Sequence, residues 1–284
     1  MENNQSIKVL IFGATGWLGK STIDYFSRNQ PSAELILVSS LQKEFNIQEK
    51  KYKTISLEEF KNLKDLNIDY FFNYAFLTGN KVKDLSENLY IKKSDEIIFS
   101  TKDFIKNNEI NKALLASSGA VYWKDTKKQN TYSIQKLKQE EVFKSECNKY
   151  NVNLQIARIF AVLANPEFTE YPYAFTDFVK QAKNNKKIHI KSNVKVLRSY
   201  LYFDYLIDFF LNGKYIDIFD AWNLNIDIAE LSEIIANFYN AKVYFDSNYS
   251  EKIVDEYVSS NYEFFNYFHG EFDVEELIKK IISN

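Results

Sequence analysis

Among its 284 residues the chain has one cysteine, two histidines, three prolines and seven glycines. The lone Cys147 excludes an internal disulfide and a thiolate metal cluster, and it suits a reducing compartment. Two histidines, His189 and His269, are too few for a histidine-built metal site. Arginine is almost as scarce: Arg28, Arg158 and Arg198 are the only ones, and the other cations are lysines. With 36 basic against 38 acidic residues and no basic stripe, nothing points to nucleic acid. No apolar run approaches the length of a membrane span. The polar start Met1-Glu2-Asn3-Asn4-Gln5-Ser6 is unlike a signal peptide. A cytoplasmic protein with no membrane partner is the expectation. Its length suffices for a sizeable core in one large domain or two closely joined ones.

Three of the few glycines fall close together. Gly13, Gly16 and Gly19 stand in Phe12-Gly13-Ala14-Thr15-Gly16-Trp17-Leu18-Gly19, directly behind the apolar run Val9-Leu10-Ile11. A strand before such a turn and a helix after it make a dinucleotide site. The first glycine allows the tight turn, the second lets backbone approach a pyrophosphate, and the third packs the helix on the strand. The helix start then presents free N–H groups to the phosphates. Thr15, Trp17 and Leu18, in the same turn, are counted with the cofactor contacts.

Strand and helix alternate through the first half. The periodicity predicts strands at 8–12, 34–39, 52–55, 68–75, 113–117 and 154–160. Helices are predicted at 17–28, 86–107 and 132–150. This pattern is an α/β chain of Rossmann type, a doubly wound parallel sheet with right-handed crossovers. Ligands of such sheets sit beyond the carboxyl ends of the strands. After about residue 165 the pattern loosens, with helices at 175–184, 203–211, 228–239 and 274–282 and a short strand at 187–190. No repeat and no flexible linker appears. The division expected is an NAD(P)-binding domain at 1–165 and a smaller C-terminal α/β substrate-binding region at 166–284, interleaved with the first. The aromatic run Tyr262–Phe268 reads as core or dimer surface, or as the lining of a ligand cleft.

The end of the second strand reports on the ribose. NAD-binding chains place an acid there; this one has Ser39-Ser40-Leu41-Gln42-Lys43, whose hydroxyls and lysine suit a 2′-phosphate. NADP is therefore preferred, with NAD possible. Tyr132 is the only one of 20 tyrosines with a lysine four places on. On a helix that spacing puts Tyr132 and Lys136 on one face, where an ammonium favours the phenolate and lowers its pKa. Ser118, 14 residues earlier at a strand end, stands where it can reach a carbonyl oxygen.

These motifs, with Ser117-Ser118-Gly119-Ala120-Val121-Tyr122, resemble the extended short-chain dehydrogenase/reductases of the nucleotide-sugar epimerase/dehydratase branch. Arg158-Ile159-Phe160, Val196-Leu197-Arg198-Ser199-Tyr200-Leu201-Tyr202-Phe203-Asp204 and Trp222-Asn223-Leu224 fit the same pattern, so the resemblance spans almost the whole chain. It implies a catalytic set of Ser118, Tyr132 and Lys136. Ser118 would bond the reacting oxygen, Tyr132 would act as acid or base, and Lys136 would tune it and hold the ribose. Ala75, Phe76, Leu77 and Phe160 would border the cofactor. Ser118, Gly119, Ala120 and Arg198 would meet the substrate, Arg198 at its diphosphate. A homodimer through the helices at 86–107 and 132–150 is also implied. Val121-Tyr122-Trp123 and Leu163-Ala164-Asn165-Pro166 depart from the family's usual Val-Tyr-Gly and Tyr-Gly-Pro, which touches substrate identity.

Dehydratases of this family carry an Asp-Glu pair after the hydroxyl residue. Here Gly119 and Ala120 stand there and cannot titrate. The reading that follows is an NADPH-dependent reductase of a nucleotide-diphosphate 4-keto sugar in surface polysaccharide synthesis. The alternatives are an NAD-dependent nucleotide-sugar 4-epimerase and a non-catalytic dinucleotide-binding sensor or scaffold.

Overall fold

The computed structural model describes residues 6–79, 81–245, 248–268 and 273–283. His269 and the first five residues lie outside them. In chain order the first part holds β1 (Lys8–Phe12), α1 (Trp17–Asn29), β2 (Glu34–Val38), β3 (Glu44–Ile47), β4 (Lys50–Lys53) and α2 (Leu57–Lys61). It continues with β5 (Asn67–Asn73), α3 (Lys81–Asp84), α4 (Glu87–Asn107), β6 (Glu109–Ser118), α5 (Thr131–Lys149) and β7 (Asn153–Ile159). Then come β8 (Ala161–Leu163), α6 (Ala174–Asn185), β9 (Lys187–Ile190), β10 (Val194–Tyr202), α7 (Phe203–Asn212) and β11 (Ile218–Ala221). The chain closes with β12 (Leu224–Asp227), α8 (Ile228–Tyr239), β13 (Lys242–Phe245), β14 (Ser250–Tyr257) and α9 (Val274–Ser283).

Two compact units emerge: Met1–Arg158 with Ile207–Phe219, and Ile159–Leu206 with Asp220–Asn284. The border thus falls seven residues before the expected 165, and the first unit takes back a segment that no composition change marks. The first unit is built on a six-stranded sheet in the order β11-β7-β6-β5-β1-β2, with parallel pairing of β1 to β2, β1 to β5 and β5 to β6. The order reverses at β1, so the crevice between the ends of β1 and β5 is the switch point where such sheets take ligands. The α/β Rossmann-type expectation holds.

The strand predicted at 52–55 does not join this sheet. Residues 44–53 form a two-stranded antiparallel hairpin, and only a single bridge from Val38 to Ile55 reaches β2. The β3 and β4 strands are four residues each, exposed and largely charged on one face, so they bury too little to enter the sheet.

Side chains alternate across a strand, and β5 uses both faces. Phe71 packs toward α4 and α5, 5.2 Å from Phe104 and 6.1 Å from Phe143. Its neighbour Phe72 packs the other way, 5.8 Å from Phe26 of α1 and 4.9 Å from Phe210. A sheet covered on both faces reads as an apolar run, which is why Tyr70-Phe71-Phe72 carries no polar alternation. Burial of each such ring contributes about 1.5–3 kcal/mol.

The second unit has a four-stranded sheet, β12-β10-β14 with β8 also on β10, and a parallel pair of β9 and β13. Strand β14 gave no signal in the sequence because most of its residues are exposed. The aromatic run at 262–268 packs within this unit. Phe264 is buried, Phe265 stacks on Trp222 at 4.6 Å, and Phe268 stacks on Tyr205 at 4.6 Å.

Glycine scarcity shows in the backbone. Six described residues other than glycine adopt positive φ: Gln48, Asp65, Asp125, Asn151, Lys186 and Asn240. Lys186 and Asn240 end α6 and α8 in the left-handed region that glycine usually fills.

Candidate active site

The turn after β1 is built for close backbone approach. Gly13 sits at φ 93°, and a Cβ there would come 2.9 Å from the Ala75 nitrogen. Its N–H and that of Ala14 both donate to the Val38 carbonyl at 3.0 Å, tying the turn to β2. Gly16 is the N-cap of α1, is exposed, and no side chain caps that helix start. Gly19 is buried, and a Cβ on it would lie 2.6 Å from the Ala14 Cα. The three glycines therefore serve different ends. Gly13 bends the chain against the β5 end, Gly19 lets α1 lie on the turn, and Gly16 leaves its outer face open. An open helix start at a switch point fits a dinucleotide diphosphate. A groove of about 1370 Å³ lies at the other end of the sheet, lined among others by Lys8, Glu34, Asp69 and Lys106. It lies away from the glycine turn. Its polar atoms serve the fold: the Lys8 N–H donates to Asp69 at 2.8 Å and the Leu66 N–H to Asn108 at 3.0 Å.

At the end of β2, Ser39 is buried. Its hydroxyl donates to the Leu41 carbonyl at 2.5 Å and lies 2.9 Å from the Thr54 hydroxyl. It holds the loop, while Ser40 is exposed.

Ser118 ends β6 and accepts a 3.2 Å bond from the Ala120 N–H, starting the turn Gly119–Trp123. Helix α5 begins with a capping box, in which Asn130 accepts from the Ser133 N–H at 3.0 Å and the Ser133 hydroxyl accepts from the Asn130 N–H at 3.1 Å. This box fixes Tyr132 in the first helical turn. There the phenol hydrogen-bonds Ser118. The structure thus brings Ser118 and Tyr132 together.

Lys136 is buried one turn on. Its ammonium donates to the Ala116 carbonyl at 2.9 Å and to Gln139 Oε1 at 2.9 Å, and lies 4.1 Å from the centre of the Phe76 ring. Phe76 also meets the Tyr132 ring edge-on at 6.0 Å. Burial drives the lysine down to about 7, against a smaller upward pull from Glu140. The phenol moves the other way from the sequence expectation. Burial pushes the Tyr132 pKa up, with the Ser118 hydrogen bond opposing it. The Lys136 ammonium is turned toward Ala116 and Gln139 here.

Two residues beside this pair were not singled out by the sequence. Glu140 is buried and receives Arg158 in two bonds, Nε to Oε1 at 3.0 Å and Nη2 to Oε2 at 2.7 Å, while Ser117 donates to Oε1 at 2.5 Å. Arg158 also donates to the Tyr122 hydroxyl at 3.1 Å. Gln139 is the second. The four-residue step from Lys136 to Glu140 was the available signal, because it repeats the spacing that picked out Tyr132.

The remaining expected contacts are placed as follows. Ala75 is buried against Gly13, and the Leu77 carbonyl accepts from Tyr90 at 2.8 Å. Thr15, Trp17 and Leu18 are half-buried, and Gly119 and Ala120 are buried. In the second unit the Phe160 ring lies 4.9 Å from Tyr257. Arg198 there donates to the Asp255 carbonyl at 2.8 Å and pairs with its carboxylate at 2.6 Å.

The sequence profile of the NAD dependent epimerase/dehydratase family matches residues 9–212. The chain belongs to that family. This epimerase/dehydratase family member is an NAD-dependent type of enzyme, and the matched stretch holds the glycine turn, Ser118, Tyr132 and Lys136. No curated protein sequence matches it significantly. Its fold is similar to that of UDP-glucose 4-epimerase from Thermotoga maritima, solved with UDP-glucose. That comparison has a TM-score of 0.70 and 14% identity, and covers 98% of each chain. A UDP-N-acetylglucosamine 4-epimerase from Methanobrevibacter ruminantium, in complex with UDP-N-acetylmuramic acid, has a TM-score of 0.71 and 19% identity, with 98% of each chain covered. The dTDP-glucose 4,6-dehydratase of Bacillus anthracis, in complex with NAD, has a TM-score of 0.69 and 13% identity, covering 98% of this chain and 96% of that one. Among the described residues no helix is long and apolar enough to cross a membrane, and no group of His, Cys, Asp or Glu is placed to hold a metal ion.

Proposed function

We propose that this family member reduces the C4 keto group of a nucleotide-diphosphate 4-keto-6-deoxy-hexose or heptose with NADPH, for cytoplasmic assembly of surface polysaccharide. The observation that carries it is the Ser118–Tyr132 hydrogen bond beside Gly119 and Ala120. Two hydroxyls suffice for a ketone oxygen, while two residues without titratable groups leave no base for dehydration. NADPH over NADH follows from the β2 end, where Ser40 and Lys43 are exposed and no acid stands to refuse a 2′-phosphate. Ser39, whose hydroxyl serves the loop, has the weaker claim there.

When bound, the nicotinamide ring supplies hydride. The chain does the rest. The amides at the α1 start take the diphosphate. The Ser118 hydroxyl donates a hydrogen bond to the ketone oxygen and orients it. The Tyr132 phenol gives that oxygen its proton, and a phenol held protonated by its surroundings is suited to this direction of transfer. Lys136 holds the ribose. Arg198 would take the substrate's diphosphate in a bidentate way, once released from Asp255.

The second reading is an NAD-dependent 4-epimerase, favoured by the names of the two epimerases of similar fold. The test is NADPH and NADH binding, followed by turnover on a panel of keto and hydroxy sugar nucleotides. Stoichiometric NADPH oxidation supports the reductase. Interconversion of sugars without net oxidation means the epimerase. Cofactor binding with no turnover means a sensor or scaffold. Tyr132→Phe should lose turnover by about 100-fold or more while still binding cofactor; near-normal turnover removes Tyr132 from the mechanism. A homodimer through α4 and α5 completes the proposal, since Leu89, Phe99 and Ile134 are exposed on those helices.

A further inference from the structure

The residue after Lys136's own helical turn poses a question of charge. Glu140 is a buried carboxylate four positions from a buried ammonium, the spacing of a helical ion pair. Yet the two do not pair. Both Glu140 oxygens are engaged by the Arg158 fork, and one also by Ser117. The ammonium instead finds the Ala116 carbonyl, the Gln139 amide oxygen and the Phe76 ring face. Every direct partner of this cation is neutral. Gln139 is 1% exposed, and its own NH2 group reaches the Ala75 carbonyl at 3.4 Å. One amide therefore spans from the lysine to the β5 end, where Ala75 backs the glycine turn and Phe76 lies on the lysine.

We propose that Gln139 is a positioning residue, whose amide fixes the Lys136 ammonium beside the end of β5 as a neutral acceptor where a carboxylate would make an ion pair. A buried cation held only by neutral acceptors keeps its proton loosely. Lys136 then changes charge within the working range, in keeping with its descent to about 7. The other titratable groups on its own helix face are Tyr132 and Glu140 on α5, with Arg158 of β7 bonded to Glu140 and Tyr90 of α4 near Tyr132. Glu140 is satisfied by Arg158, and both phenols are held protonated, Tyr90 by burial and by its nearness to Tyr132. The hydrogen-bonded acceptor with most room to alter the lysine by substitution is thus residue 139. Its effect on cofactor affinity rests on the function proposed above; its effect on the lysine does not.

The experiment is carbon-13 NMR of the full chain labelled at lysine Cε, titrated across pH, with Lys136→Met identifying the resonance. Wild type should show one lysine with its midpoint near 7, apart from the rest. Gln139→Glu should raise that midpoint by about 1–3 pH units, as an adjacent opposite charge does. Gln139→Leu should lower it by about one unit through loss of a hydrogen bond to the charged form. If the leucine variant does not fold, Gln139→Met, of nearly the same shape, takes its place. NADPH affinity measured over the same range should shift its pH dependence with the lysine midpoint. A glutamine that merely packs the helix would leave the midpoint where it is in folded variants, and that result overturns the proposal. If wild type binds neither NADPH nor NADH, the proposed function falls, while the lysine titration still decides the role of Gln139.

Discussion

Gly16→Ala and Gly19→Ala should separate the two jobs of the βα turn. At Gly19 the added Cβ would meet the Ala14 Cα at 2.6 Å and its carbonyl carbon at 2.8 Å, and come closer still to the Gly13 carbonyl oxygen. All three are backbone atoms, so α1 itself must shift. Overpacking of this kind costs about 3 kcal/mol, and the gain of alanine over glycine in a helix returns about 1, leaving a net loss of about 2 kcal/mol. At Gly16 the sole close contact is the Gly13 oxygen at 3.3 Å. The residue sits at φ −79° and ψ 171°, which alanine adopts freely. The stability cost there should stay below about 1 kcal/mol. Its methyl, however, stands on the exposed face where a diphosphate would rest, so dinucleotide affinity should fall about tenfold or more, which is about 1.4 kcal/mol of binding. Urea unfolding gives the first quantity and fluorescence titration with NADPH and NADH the second. The reasoning fails if Gly16→Ala unfolds as readily as Gly19→Ala, or if it folds and binds cofactor like wild type.

Other outcomes follow from the buried charges and the exposed helix face. Arg158→Met strands the Glu140 carboxylate with Ser117 alone and should cost about 3–5 kcal/mol in urea unfolding; Arg158→Met with Glu140→Gln should cost less than the sum of the two single changes. Lys136 has a folded pKa near 7 against 10.5 for the free side chain. Between those values the unfolded chain holds a proton the folded one lacks, so stability rises with pH across that window, and the destabilisation is complete, with no further loss, at and below about pH 7. Lys136→Met removes this slope: its melting temperature should exceed that of wild type most clearly below pH 7, and an unchanged slope from pH 7 to 10 would contradict the assignment. Phe99→Glu, on the exposed face of α4, should yield a monomer by analytical ultracentrifugation; a monomeric wild type would dispose of the dimer instead.

Helix α5 and the glycine turn were legible because short-range periodicity governs them. A strand must pack, a turn must bend, and a helix must repeat, and residues 8–28 and 118–136 carry all three signals within a few positions of each other. Strand β14 was invisible because it shows no apolar face: most of Ser250–Tyr257 is exposed, so its partnership with β10 rests on backbone bonds. The β3–β4 hairpin failed for a related reason, being too short and charged to show a period. The Arg158–Glu140 pair joins a strand to a helix 18 residues earlier, and no spacing rule reaches across a loop. The upward move of the Tyr132 phenol was lost for a different cause. Sequence gives the neighbours of a side chain along its helix, but not the Ala116 and Gln139 oxygens toward which Lys136 turns, nor the burial that acts on both.

Lys186 and Gln48 hold their backbones in a conformation that disfavours a Cβ, at φ 54° and 52°. Glycine at either position would relieve about 1 kcal/mol before its greater freedom in the unfolded chain is deducted. Both lie in segments apart from the residues assigned to chemistry, one at a helix end of the second unit and one in a surface hairpin. Because Lys186 also donates to the Tyr239 carbonyl and Gln48 to the Asp24 carboxylate, glycine there should leave net stability about level, and the pair of variants would gauge how much backbone tension the fold tolerates far from Tyr132 and Lys136.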